Sequence, residues 1–402
     1  MHQFTVQHPE QGEIIYQDRK RYLWLVSLLY PLIALSGIGL FYLTGNQWVF
    51  VVPLVIAYIG ISALDWLIGE DRNNPPEEIV PQLEADAYYR WLPILTVPMH
   101  LLVLVIFAWF IANHDLGLPA FLMLTLTAGL YSGLGINTAH ELGHKKPALE
   151  RWMARVALAA SGYGHFCVEH NRGHHRHVAT PEDPASSKMG ENIYQFAWAE
   201  IPAGFRRGWA CEKERMERQG KSVWHPTNEV LQSYALTLVI QGALIVAFGW
   251  IMLPFLLLQN FFGWWQLTSA NYIEHYGLLR QRKPNGGYEH CQPWHSWNAD
   301  YLASNLLLFQ LERHSDHHAH PTRRYQSLRS FPSLPTLPTG YSGMYALAMV
   351  PALWYRVMDK RLLALPHIAG DFDKINIAPG RRAELEARYA GVSVQQPAVQ
   401  EA

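Results

Sequence analysis

His140-Glu141-Leu142-Gly143-His144 has the H-E-x-x-H spacing with which a helix presents two imidazoles and a carboxylate to a zinc ion. The chain repeats that logic twice. EHNRGHHRH places His170, His174 and His175 together, and ERHSDHHAH does the same for His314, His317 and His318. Helical residues three and four apart share a face, so each group is expected to aim two or three imidazoles at one point. His275, in NYIEHYGLL, is a ninth candidate. A zinc peptidase needs two helical histidines and one further ligand. That leaves six or seven of these imidazoles unexplained, whereas nine suit two metals at four to five ligands each. Imidazole accepts Zn, Cu, Fe or Ni, so ligand type alone does not choose the metal. Ligating histidines give their second ring N–H to a carboxylate. Glu141, Glu169, Glu274, Glu312 and Asp316 flank the groups and are assigned to that outer shell or to direct ligation, with Asn271 beside them. Cys167, Cys211 and Cys291 are scattered and form no CxxC pair, which argues against a disulfide framework or a thiolate metal site.

The elements that must position these groups are apolar. Half of the 402 residues are hydrophobic and 16% are charged, against about 25% in ordinary soluble proteins. A membrane-crossing helix needs about 20 mostly apolar residues. Six stretches qualify, at 22–43, 47–68, 91–111, 118–138, 233–253 and 255–275. The turns TGNQ and ANHDLGL carry no Lys or Arg, while the 139–232 segment carries many, from Lys145 to Lys221. The positive-inside rule then puts both termini and the polar segments in the cytoplasm. The expected fold is all-α, with six transmembrane helices and a cytoplasmic His-rich helical cap. Its parts are a cytoplasmic N-terminus (1–21), crossings one to four (22–138), an insert with the first two His groups (139–232), crossings five and six (233–275), a cap with the third group (276–385), and a tail or linker (386–402). The apolar run 344–358 reads as a packed or interfacial helix. A net charge of −1 gives no reason to expect nucleic acid.

With these residues in hand, the sequence resembles the membrane-bound di-iron hydroxylases and desaturases. Within them, HELGHK, EHNRGHH, NYIEHYGL and LERHSDHHA are similar to the integral-membrane alkane 1-monooxygenases. Desaturases and xylene-type methyl monooxygenases are the competing relatives, and the HYG element separates the chain from typical fatty-acid desaturases. The resemblance implies two irons per chain held by His140, His144, His170, His174, His175, His275, His314, His317 and His318. It implies terminal hydroxylation of a medium-chain n-alkane with O2 and two electrons, in a bacterial inner membrane. It also implies rubredoxin and its reductase as electron donors. Rubredoxin would show two CxxC pairs and this chain has none, so the donor is expected as a separate protein or as a domain fused beyond the linker-like tail.

The residues support this independently. An unactivated C–H bond has no acidic proton and no leaving group, so it needs a redox metal. An alkane partitions into lipid and binds a slot by area alone, at about 0.8 kcal/mol per buried methylene. A blind slot rising from the metals would present the chain end, and Val55, Leu130 or Leu134 is expected to cap it. His165, His177, His320, His290 and His295 read as ordinary hydrogen-bonded histidines, and Asp65 as interfacial. Lys145, Lys146, Arg172 and Arg176 suit either an acidic donor protein or anionic lipid.

Overall fold

The computed structural model describes residues 2–390. The expected linker lies partly outside the described residues. The chain is mostly helical, but it opens with a hairpin that the all-α expectation missed. β1 (His2–His8) pairs antiparallel with β2 (Gly12–Asp18), with Phe4 opposite Tyr16. Gly12 turns the hairpin at φ +75, a conformation glycine adopts without a Cβ clash. Phe4 anchors the hairpin in a cluster with Trp24, Ile79 and Tyr325.

Among the described residues, five helices are long and apolar enough to cross a membrane: α1 (Arg21–Thr44), α2 (Gln47–Ile68), α3 (Ala87–Asn113), α4 (Leu118–Gly143) and, further on, α8 (Glu229–Phe248). Between α4 and α8 lie α5 (Ala148–Ser161), α6 (running through 166–177) and α7 (Ile193–Arg218). The sixth expected stretch forms α9 (Met252–His275), which has 24 residues but is less apolar. Its Gln259, Asn260 and Gln266 are buried, and they explain why length and composition do not place it with the other five. The short helices α10 (Leu302–Leu307), α11 (His314–Ala319), α12 (Tyr341–Ala348) and α13 (Pro351–Leu363) follow. The expected single helix at 344–358 is thus two helices, interrupted before Pro351, whose ring cannot continue a helix interior. It is packed, with Trp354 and Met358 buried in one cluster with Tyr272 of α9 and with Tyr276 just after that helix.

Small residues set the closest helix contact. A Cβ on Gly133 of α4 would stand 2.6 Å from the Cβ of Gln266, and one on Gly129 would stand 2.7 Å from the Gln259 carbonyl oxygen. Glycine lets α4 and α9 approach backbone to backbone, as membrane helices do where apolar burial alone gives no drive. The polar side chains at this contact are satisfied. Ser132 Oγ donates to Gln259 Oε1 (2.6 Å), Gln259 Nε2 donates to the Ala160 carbonyl of α5 (3.0 Å), and Gln241 of α8 pairs with Asn260 (2.9 and 3.0 Å). These stretches qualify as crossings by their apolar composition, which leaves little room for interior polar groups. The structure corrects that with a buried amide network joining α4, α5, α8 and α9. Asp65, expected at an interface, is buried and accepts from Ser304 N at 2.9 Å.

Candidate metal centre

The nine imidazoles meet where the last turns of α4 and α9 face α6 and α11. They form two sets, within each of which the ligand atoms lie within 4.8 Å of one another. The first is His140, His144, His170, His175 and His317; the second is His174, His275, His314 and His318. The expectation that each sequence group converges on one point is corrected. Adjacent residues on a helix point about 100° apart, so His174 and His175 go to different sets, as do His317 and His318. α6 adds a second device. His170–His174 is a π-helical turn in which the His175 N–H bonds to the His170 carbonyl. Its i→i+5 bonding returns the chain to the same face after about five residues, and that brings His170 and His175 into one set. Within α11, His314 and His318 are four apart and share a face.

Nitrogen meets nitrogen throughout. His140 Nε2 is 3.0 Å from His317 Nε2, which is 3.2 Å from His175 Nε2, which is 3.1 Å from His170 Nε2. In the second set His314 Nε2 lies 2.9 Å from His318 Nε2 and 3.3 Å from His275 Nε2. Nitrogens at right angles on a metal–nitrogen bond of about 2.1 Å would stand about 3.0 Å apart. The buried Nε2 atoms of His144 and His174 have no hydrogen-bond partner, and an unpaired buried nitrogen is costly. Burial, then neighbouring imidazoles, holds His144, His170, His317 and His318 well below the ordinary histidine value, and His175 likewise. Neutral rings are what a metal ion requires of its ligands. Both donor sets therefore fit a first-row metal cation, and all-imidazole donation accepts iron as it does Zn, Cu or Ni.

The flanking residues divide. His174 Nδ1 is 2.9 Å from Asp183 Oδ2, a carboxylate the sequence reading did not name. Burial pulls His174 down, but Asp183 outweighs it and raises the imidazole above its ordinary value. Asp183 is itself held well below the usual carboxylate range, against burial, by His174 and Arg207. Glu169 ion-pairs with Arg207, which also reaches Asp183 at 2.7 Å, so Glu169 acts two links from an imidazole. Glu274 Oε2 lies 3.4 Å from His314 Nε2, and its Oε1 accepts from the Tyr341 hydroxyl at 2.9 Å. Glu141 pairs instead with Lys145 at 3.0 Å. Lys145 also donates to the Arg323 carbonyl at 2.7 Å and is buried, so it is not a surface charge for lipid or a partner. Glu312 accepts from Tyr341 N (2.7 Å) and Asp316 from Arg329 Nη2 (2.7 Å). Asn271 donates to Glu200 (3.1 Å). His275 is steered from outside by the His295 carbonyl, 3.2 Å from its Nδ1.

A cavity of about 840 Å³ opens from these sets into the helix bundle. His140, His170, His314 and Glu274 stand at one end, and Tyr30, Ala57, Tyr58 and Leu130 line it within the bundle. Ten residues of α4 separate Leu130 from His140, about 15 Å of helix. Leu130 and Leu134 both line it. Val55 does not: it faces outward, 45% exposed. A π-helical turn at Ile56–Gly60 shifts the face of α2 and leaves Ala57, Tyr58 and Ile61 pointing in.

A helical membrane scaffold with clustered histidines at the ends of its long helices defines a class, and known proteins place the chain in it. The fatty acid desaturase family signature matches residues 116–347. The chain is 52% identical to alkane 1-monooxygenase 1 of Alcanivorax borkumensis over 95% of its own length and 94% of that protein's. It is 52% identical to an alkane 1-monooxygenase of Pseudomonas putida, covering 93% and 92% of the two chains. The hydroxylase component of a xylene/toluene monooxygenase from Pseudomonas putida is 24% identical over 88% of this chain and 91% of that protein. The chain belongs to the alkane 1-monooxygenases, within the fatty acid desaturase family.

Proposed function

We propose that the protein converts a medium-chain n-alkane, O2, two electrons and two protons into the primary alcohol and water. The observation that carries this is the cavity, an apolar-walled space whose polar end is built of His140, His170 and His314, members of both imidazole sets. An alkane offers no polar handle, so contact area along Leu130, Leu134, Tyr58 and Leu307 supplies binding, at about 0.8 kcal/mol per methylene. A slot of this form presents a chain end rather than a mid-chain carbon, and terminal selectivity follows from shape. Two irons would be held by the five-imidazole and the four-imidazole sets. Bound there, they would supply the reduction of O2 to an oxidant able to attack an unactivated C–H bond.

The chain's own residues keep that site dry and fixed. Apolar walls exclude water from the reacting end. Asp183 accepts a hydrogen bond from the Nδ1–H of His174, so Nε2 is left to face the other nitrogens of its set. The Tyr341 hydroxyl holds Glu274 beside His314. The sequence holds no CxxC pair, so electrons come from rubredoxin with its reductase, the family's carrier, as a separate protein or as a domain fused beyond the tail. α9 makes the sixth crossing of a bacterial inner membrane, its amides shielded by α4, α5 and α8. Both termini and the His-rich cap then lie on the cytoplasmic side.

The test is GC–MS of products from iron-replete membranes given n-octane, 18O2, rubredoxin, its reductase and NADH. Labelled 1-octanol is expected. Octene, or no oxidised product with two irons bound, would overturn the reading.

A further inference from the structure

Beside the reaction cavity lies a second concave site that belongs to neither set of imidazoles. It is an open groove of about 650 Å³, walled by Ile201, Pro202 and Phe205 of α7 and by Trp264 of α9, with Tyr234 of α8 on its third side. Its lining also includes the polar side chains of Tyr163 and His165, and Arg206, which is exposed, completes it. His165 is 3% exposed; its Nδ1 stands 2.8 Å from the Tyr234 hydroxyl, and its Nε2 has no partner. Residue 204 of α7 is glycine. A Cβ there would lie 3.9 Å from His165 Nε2, from the Tyr163 hydroxyl and from Glu200 Oε1. Three polar atoms thus converge on one small space that no side chain fills. Glu200 continues the thread inward, because it accepts from Asn271 Nδ2 at 3.1 Å and Asn271 lines the reaction cavity. The apolar partition is equally thin: the Tyr163 ring of the groove is 6.3 Å from that of Phe166, which lines the cavity.

We infer that this groove binds an aliphatic primary alcohol on its way out of the reaction cavity, with the hydroxyl at His165 Nε2 and the alkyl chain along Phe205 and Trp264. The inference rests on the function proposed above, which makes the product such an alcohol. A hydroxyl both donates and accepts, so it satisfies His165 in either neutral tautomer. Burial drives that imidazole down to about 3, so the buried end of the groove presents no cation to a carboxylate; the cation of the lining is the exposed Arg206. Glu200, pushed up to about 7 by burial, adds no positive charge at that end, and Arg207 is tied to Glu169 and Asp183. An alkane gains nothing from His165. The groove therefore separates product from substrate, which lets the cavity refill.

The test is photo-crosslinking on the iron-loaded enzyme in its membrane. The probes are a diazirine-bearing 1-octanol and the matching diazirine alkane, with labelled peptides read by mass spectrometry. The alcohol is expected on the peptides carrying Phe205 and Tyr234, and the alkane on those carrying Tyr58 and Leu134. His165→Phe should cut groove labelling by the alcohol about fivefold or more, as for one lost neutral hydrogen bond, and leave alkane labelling unchanged. Gly204→Val, which fills the shared space, should do the same and serves if His165→Phe does not fold. Equal groove labelling by both probes, no groove labelling by the alcohol, or labelling unmoved by the variants would overturn the site and leave a groove for any lipid chain. Crosslinking needs no turnover. A chain that makes no 1-octanol yet loses label in His165→Phe would sink the functional reading alone.

Discussion

The two sets of imidazoles are built differently. Among the described residues, no carboxylate lies within 4.0 Å of a ring nitrogen of the five-membered set. The four-membered set has two, Asp183 at His174 and Glu274 near His314. Two cations of equal charge would meet a neutral shell at the first and an anionic one at the second. An outer partner such as Asp183, on the far ring nitrogen of His174, raises ligand basicity and tunes a metal, whereas Glu274 stands on the inward Nε2 side of His314, so the fold makes two unequal positions from one type of ligand.

Deleting a ring from each set should break the comparison most forcefully. His140→Ala should lower iron from two per chain to about one, with activity down by more than about 100-fold, beyond what removal of an outer partner costs. His314→Ala should do the same from the other side. Iron analysis with Mössbauer spectroscopy on both variants should show that different components disappear. Loss of the same component in each would mean the sets are not separate.

Asp183→Asn comes next. An outer carboxylate is worth about 10–100-fold in metal affinity or activity, and the loss should fall on the four-membered set alone. Glu169→Gln should cost less, because Glu169 reaches His174 only through Arg207 and Asp183. Competitive chelation of the two variants checks the order. An equal or larger effect of Glu169→Gln would reverse the roles assigned to the two carboxylates.

Acid sharpens the contrast in the metal-free protein. His144, His170, His175 and His317 have folded values below the unfolded 6.5. The unfolded chain therefore binds more protons as pH falls below about 6.5, and each such histidine lowers stability by up to about 1.4 kcal/mol per pH unit. His174 runs the other way. Asp183 raises its folded value, so its contribution is full below 6.5 and is lost as pH rises through the raised value. Asp183 adds stability above its unfolded value near 4 that is lost only in stronger acid. Asp183→Asn should thus move the acid-unfolding midpoint of the metal-free protein upward, as followed by far-UV circular dichroism. An unchanged midpoint would mean the pair does not couple to folding.

The nine histidines were legible because their spacing is local: three and four residues on a helix fix a face before any tertiary contact is known. Their sorting was not, because it depends on a π-turn at His170–His174, which leaves no mark in an apolar-polar pattern. Asp183 sits nine residues beyond His174, outside any helix, where spacing carries no face, though the acidic pair Glu182-Asp183 soon after a His group was a signal of a kind. Long apolar helices were legible from composition. The amides of α9 were visible but misjudged, since only the fold shows that Gln259 and Asn260 meet Gln241 and Ala160 instead of lipid. The N-terminal strands alternate visibly at Phe4-x-Val6 and Ile14-x-Tyr16 and were read past.

The smallest effect concerns chain length, and α2 decides it. Every residue from Val49 to Ile61 except Pro53, Tyr58 and Gly60 is aliphatic or Phe, so no polar face indexes the helix and the sequence could not say which side lines a slot. Val55 faces outside and Ala57, two residues on and so about 200° around the helix, faces inside, in the π-turn at Ile56–Gly60. Ala57→Phe would project a ring into the cavity beyond Leu134, well away from the imidazoles. The longest accepted alkanes should then be lost, at about 0.8 kcal/mol or roughly fourfold in kcat/KM for each methylene that no longer fits, while the shortest substrates keep their rate. Val55→Phe adds the same ring on the outer face and should leave the profile unchanged. Product profiles from an equimolar mixture of n-alkanes compare the two directly. A shortened range in Val55→Phe with none in Ala57→Phe would place the inner face of α2 one register away from where the π-turn sets it.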